Sequence, residues 1–138
     1  MNFSEMRSLV AVTAVLGSLL AAAPASAATF FESPSGNIRC VMDKSSGVRC
    51  DIRVRDWRPP PKPDRCPVDW GNGLEVSARG RARFTCAGDA VPDGRALAYG
   101  DAIRRGRYRC RSRRTGMRCV NLRTSRGFVL SRTRVRRF

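Results

Sequence analysis

Four of the six cysteines of this chain sit in a pattern that occurs twice, and no other feature restricts its fold as tightly. The first copy reads Gly36-Asn37-Ile38-Arg39-Cys40, followed by Ser46-Gly47-Val48-Arg49-Cys50. The second reads Gly106-Arg107-Tyr108-Arg109-Cys110, followed by Thr115-Gly116-Met117-Arg118-Cys119. Both are G-x-x-R-C and then [ST]-G-x-R-C, with nine residues between the cysteines in one copy and eight in the other. Two alternating segments joined by a short Gly-containing turn read as a β-hairpin. In a hairpin, opposed positions have a constant sum, so Cys40 faces Cys50 across Ser45 and Cys110 faces Cys119 across Arg114-Thr115. Opposed residues at non-hydrogen-bonded sites have Cα atoms about 4.5 Å apart, within disulfide reach. Cys40–Cys50, Cys110–Cys119 and, by elimination, Cys66–Cys86 form the favoured set. Its main competitor is a crossed set linking the two copies.

The hydrophobic period is two rather than 3.6. Val48, Cys50, Ile52 and Val54 alternate with Arg49, Asp51 and Arg53. Gly80, Ala82, Phe84 and Cys86 alternate with Arg79, Arg81, Arg83 and Thr85. A third such segment covers 105–113, and shorter ones cover 37–42, 117–122 and 127–131. This alternation puts the cysteines on the buried face. Turn signals stand at Ser45-Ser46-Gly47, Gly71-Asn72-Gly73, Pro92-Asp93-Gly94 and Thr115-Gly116. The pattern predicts an all-β fold: a small antiparallel sheet or sandwich-like domain stabilised by three disulfides. Trp57-Arg58-Pro59-Pro60-Pro61-Lys62-Pro63 reads instead as an extended strap, packed on its own domain by Trp57 or Trp70.

Residues 1–27 read as a secretory signal: Arg7 before an uncharged run from Leu9 to Ala23, then Pro24 and a small-residue cleavage motif at Ala25-Ser26-Ala27. The remaining 28–138 are enough for one domain, which an oxidising compartment would staple. The expected location is secreted or cell-wall associated, with no transmembrane segment after signal cleavage. Zinc is disfavoured as the role of the cysteines, because there is no histidine and no C-x-x-C spacing. No metal and no cofactor is expected.

The charge is lopsided. Of a net +16, residues 102–138 supply fourteen arginines and no acidic residue. Arg105, Arg107, Arg109, Arg111 and Arg113 alternate, so one strand through 105–113 would project them from one face at ~6.6 Å, twice the strand rise. Arg79, Arg81 and Arg83 would form a second stripe. Guanidinium forks suit phosphates and carboxylates. The expected ligand of the five-arginine row is therefore a polyanion: an anionic wall polymer, an anionic lipid surface or extracellular nucleic acid. Tyr108 falls on the opposite face, so aromatic interleaving for base stacking is sparse. The alternative is an envelope protein–protein interaction or structural module whose arginines reflect codon bias, since 25 of 27 basic residues are Arg. Such bias does not explain the missing acids after Asp101. A membrane-active role is weakened by the lack of an evident exposed apolar face.

Catalysis finds little support. Without histidine there is no Ser-His-Asp or Cys-His arrangement, and every cysteine is assigned to a bridge. Asp89 and Asp93 flank a Gly/Pro-containing loop, but their spacing lacks the ligand ladder of a calcium loop.

Several segments together carry a resemblance. Phe31-Glu32-Ser33-Pro34-Ser35-Gly36-Asn37-Ile38-Arg39-Cys40, Val48-Arg49-Cys50-Asp51-Ile52, the strap at 57–63 and Phe84-Thr85-Cys86-Ala87-Gly88-Asp89 are four of them. Leu97-Ala98-Tyr99-Gly100 and Gly127-Phe128-Val129-Leu130-Ser131-Arg132 complete the set. Over essentially the whole of 28–138 the chain resembles a six-cysteine family of small secreted proteins from high-GC Gram-positive bacteria, known only as a domain of unknown function. The resemblance implies no activity.

Overall fold

The computed structural model describes residues 12–22 and 27–138. Ala25 and Ser26 of the cleavage motif, and Arg7 before the apolar run, lie outside the described residues. Residues 12–22 are exposed and carry no regular secondary structure. Among the described residues there is no helix, hence none long and apolar enough to cross a membrane.

Eleven strands make an all-β domain. They are β1 (Thr29–Glu32), β2 (Ile38–Asp43), β3 (Gly47–Ile52), β4 (Trp70–Val76), β5 (Arg83–Cys86), β6 (Arg95–Ala96), β7 (Ala102–Arg105), β8 (Tyr108–Arg113), β9 (Gly116–Asn121), β10 (Arg126–Leu130) and β11 (Val135–Arg137). The first sheet has the order β5-β4-β3-β2-β1-β6 and the second β11-β10-β9-β8-β7. All pairings are antiparallel except β1 with β6, where Phe31 lies beside Arg95.

The duplicated cysteine pattern is the visible part of a larger repetition. Leaving β6 aside, each sheet is a five-stranded meander with the same strand order and the same register. Cys40 opposes Cys50 and Cys110 opposes Cys119; Cys50 then faces Leu74 on β4, as Cys119 faces Phe128 on β10. The glycines repeat with them. A Cβ at Gly73 would run into the Cys50 carbonyl oxygen, and one at Gly127 into that of Cys119. At these two points neighbouring strands approach too closely for any side chain. The halves differ mainly between their third and fourth strands, where the first carries the long strap and the second a short turn.

The inner faces of both sheets share one core, including Phe31, Met42, Leu74 and Val76 from the first and Tyr108, Met117, Phe128 and Leu130 from the second. Bridges join Cys40 to Cys50, Cys66 to Cys86 and Cys110 to Cys119, leaving no free cysteine. At the centre of the core, the Sγ atoms of Cys50 and Cys119 touch at 3.7 Å, so two disulfides stack across the layers. The strap is pinned as its tryptophans require: Trp57 Nε1 donates to the Ser131 carbonyl at 2.8 Å and Trp70 Nε1 to that of Pro60 at 2.9 Å. Both indoles pack on Phe84, at 6.2 Å between ring centroids.

Four details depart from the alternation. Gly71-Asn72-Gly73 is not a turn: it lies inside β4, where the register shifts between Trp70 and Leu74. The segment from 79 becomes a strand only at Arg83, because Gly80 turns with φ 77°. Arg79 and Arg81 thus leave the expected stripe, and Arg83 pairs with Glu75 at 3.0 Å. Cys86 is exposed although Cys66 is buried, so the third bridge ties the strap at the edge rather than filling the core. Val54 lies past the end of β3 and is exposed.

The first hairpin is held by Asp43, whose Oδ1 accepts the backbone N–H of Ser45 at 2.8 Å and of Ser46 at 2.9 Å. Hydroxyl bonds from Ser45 and Ser46 add to these. The Ser45 hydroxyl first, then the backbone donors, hold the Asp43 carboxyl well below the usual carboxylate range. A depressed carboxyl stabilises the fold above its unfolded value, about 3.9, and that contribution fades as pH falls through the lower folded value. Asp43→Asn is accordingly expected to lower the melting temperature at pH 7, with the gap from wild type closing below about pH 4. A gap independent of pH would show that the Asp43 charge does not hold this turn.

Candidate anion-binding face

Because the two meanders share one register, each position on the outer face of one sheet has a counterpart on the other. On the first sheet, cross-strand neighbours alternate in sign. Glu32 lies opposite Arg39, which lies opposite Asp51; in the next row Arg49 lies opposite Glu75, which lies opposite Arg83. The counterparts on the second sheet are Arg104, Arg109 and Val120, then Arg118, Val129 and Arg136. Two further pairs of counterparts are Val41 with Arg111 and Asp43 with Arg113. Three arginines face four carboxylates on the first sheet; six arginines and no carboxylate occupy the same places on the second.

On the first sheet the charges are consumed internally. The Arg49 guanidinium meets Asp51 through Nη2 at 2.8 Å and Nε at 3.0 Å, a two-pronged contact. It also donates to the Asp89 carbonyl at 2.6 Å. Burial works against the Arg49 charge, but the hydrogen bonds and attraction of Asp51, with Asp89 behind, outweigh it and raise its pKa. Asp51 is only 9% exposed and also accepts the Val91 N–H at 3.0 Å, so the loop around Asp89–Val91 covers this part of the face.

On the second outer face the corresponding cover is the Phe138 ring, which lies against Gly127 beside Val120. Arg109, Arg111, Arg113 and Arg118, with Val120 and Leu122, line an open groove of about 350 Å³. Arg111 lies directly opposite Arg118, and Arg104 opposite Arg109. Like charges so placed destabilise a sheet until something neutralises them. Among the described residues, none of the six arginines is in an ion pair. Phe138 stiffens one side, with the Arg118 guanidinium 4.6 Å and that of Arg136 5.3 Å from its ring centre.

The predicted row of Arg105, Arg107, Arg109, Arg111 and Arg113 is only partly present. Gly106, with φ 56°, and Arg107 form a two-residue turn between β7 and β8, so 105–113 is not one strand. Chain reversal inverts the parity: Arg105 lies opposite Tyr108 on the inner side, and its Nε donates to Thr29 Oγ1 at 3.2 Å. Arg107 stays in the turn. Arg109, Arg111 and Arg113 remain on the outer face, joined by Arg104, Arg118 and Arg136 from three neighbouring strands. The repeat of Arg-Cys in the sequence already signalled Arg118, because in both copies it precedes the second cysteine of the hairpin. Arg136 had no such signal.

The groove presents guanidinium groups, donors whose geometry suits phosphates or carboxylates. The three sulfurs of Cys40, Cys50 and Cys119 that cluster in the core belong to disulfides, so they are not thiolate ligands. No curated protein and no solved structure matches this chain. The family described as "Family of unknown function (DUF6636)" matches it over residues 11–138, the span that contains the whole cysteine framework and both meanders. The chain belongs to this family of unknown function.

Proposed function

We propose that this is a secreted, non-enzymatic binding protein whose second sheet carries a polyanion on its outer face. Secretion is supported by the signal-like segment at 1–27 and by three disulfides that need an oxidising space. The observation that carries the binding reading is the contrast between the two meanders. They come from one gene and one composition, so a genome-wide preference for arginine acts on both. Only the second lacks carboxylates at the positions that neutralise the first. The ligand is an anionic polymer of the envelope, and the arginines meet its phosphates or carboxylates in the groove over β8 and β9.

Two triple variants that remove the same charge test this. Arg109→Gln/Arg111→Gln/Arg118→Gln is expected to weaken binding to poly(glycerol phosphate) and to polygalacturonate, and to flatten the dependence of log K on log salt by about 2. Arg79→Gln/Arg81→Gln/Arg95→Gln, all exposed and away from the groove, leaves both nearly unchanged. Equal losses from the two sets would mean that only total charge matters. A specific protein partner retained by the first variant, with no polymer bound at about 0.15 M salt, would favour the protein–protein reading instead.

A further inference from the structure

At one end of the molecule the two layers leave a cleft of about 470 Å³, within the range of about 300–1,000 Å³ typical of small-molecule sites. Its apolar lining includes Ile38 and Met117, both buried on the inner faces of β2 and β9. Ser112 also lines it, is 1% exposed, and its Oγ has no hydrogen-bond partner. A buried hydroxyl without a partner is destabilising, and so calls for an explanation. Arg53, Arg113, Arg114, Arg132 and Tyr99 also line it, Arg132 in an ion pair with Asp56 at 3.5 Å, and no carboxylate is among the lining residues. The Arg114 guanidinium sits over the Tyr99 ring at 4.9 Å.

We infer that this cleft binds one sugar unit bearing an anionic substituent, a phosphate or a carboxylate. The guanidinium groups take the anion, the unpartnered Ser112 hydroxyl pairs with a ligand hydroxyl, and the apolar lining covers the carbon skeleton. A nucleobase fits less well: Tyr99 is the one aromatic lining residue, and Arg114 already covers its ring. Arg113 lines both the cleft and the groove. Resting on the proposed polyanion reading, the inference makes the polymer an anionic glycan whose chain lies along β8 and β9 and whose sugar unit enters the cleft.

Amide NMR titration of the disulfide-intact 28–138 chain tests this, with glucose 6-phosphate, glucuronate, glucose, inorganic phosphate and thymidine 5′-monophosphate as probes. Saturable shifts at Ile38, Ser112 and Met117 are expected with the two sugar anions, and the tighter of the two identifies the substituent. Ser112→Ala is expected to weaken that binding about five- to tenfold, the loss of one hydrogen bond, without lowering the melting temperature. A merely structural serine would do the reverse. The inference is overturned if these residues show no saturable shift. It is also overturned if phosphate or thymidine 5′-monophosphate binds as tightly as the tighter sugar anion, or if Ser112→Ala leaves affinity unchanged. Arg118 lines the groove and not the cleft, so the two readings fail separately. Polymer affinity indifferent to Arg118→Gln, with the Ser112 shifts intact, sinks the groove alone; polymer affinity sensitive to Arg118→Gln, without those shifts, sinks the cleft alone.

Discussion

Copying the carboxylates of the first sheet onto the second, as Arg104→Glu/Val120→Asp/Val129→Glu, is expected to abolish polyanion binding while leaving the fold intact. The three positions are the register counterparts of Glu32, Asp51 and Glu75. Each new carboxylate lands opposite an arginine already there: position 104 faces Arg109, position 120 faces Arg109 from the other side, and position 129 lies between Arg118 and Arg136. The change removes four units of positive charge from one face and supplies cross-strand partners for Arg109, Arg118 and Arg136. Lowering the charge of this face by four units weakens binding to a polyanion at about 0.15 M salt by roughly a hundredfold or more. Stability moves the other way, because one repelling cross-strand pair (104 with 109) and three Val–Arg pairs become attractive ones at about 0.2–1 kcal/mol each. Val120 is as buried as Asp51, so a carboxylate at 120 meets a comparable setting, but without the Val91 N–H that Asp51 enjoys. Chemical denaturation and a polymer binding isotherm on the same sample decide the matter. A variant that is less stable and still binds would show that the second face is not a stripped copy of the first.

The second large effect concerns the stacked disulfides. Cys40→Ala/Cys50→Ala and Cys110→Ala/Cys119→Ala open loops with sequence separations of 10 and 9. Each loses about 3 kcal/mol from loop closure, before the cavity left by the sulfurs is counted. Total stabilities of small domains lie at about 5–15 kcal/mol, so removing both bridges is expected to unfold the protein at room temperature. The two losses will not add simply, because Cys50 and Cys119 pack on each other and each removal also exposes the other bridge. Cys66→Ala/Cys86→Ala should behave differently, since Cys86 is exposed and the bridge ties the strap. Its loss frees Trp57 and Trp70 from Phe84 but leaves the central stack in place, so indole fluorescence changes before global unfolding. Urea titrations of the three variants, followed by tryptophan emission and far-UV circular dichroism, separate these cases. Equal behaviour of all three would contradict a two-bridge centre.

Much of this architecture was legible in the residues. The spacing around Cys40–Cys50 and Cys110–Cys119 encodes two hairpins, since a constant positional sum is a local property of a ribbon. Alternation around Phe128 and Leu130 likewise marks a half-buried strand. Legibility fails where glycine has two meanings. Gly106 closes a tight turn in the middle of an arginine alternation that looked continuous, while Gly71 and Gly73, which look like a turn, lie in β4 because close strand approach at Gly73 and a register shift demand them. Short edge strands such as β6 and β11 carry no period of their own; pairing with β1 and β10 makes them strands. The arginine face was therefore half visible. Arg109, Arg111 and Arg113 follow from one strand and Arg118 from the duplicated Arg-Cys pattern, whereas Arg104 and Arg136 join them only through inter-strand register.

Two sister layers, each with a single greasy side, also settle how many copies such an architecture accepts. In solenoids every added unit presents a fresh surface for the next, and the array grows without limit. Here the pair turns its apolar sides toward each other and stops, with polar surfaces facing outward in both directions. A third copy would find nothing to cover, and either copy alone would have nothing to cover it. The two layers consequently differ most on their outward surfaces, one of which neutralises its own charge while the other does not.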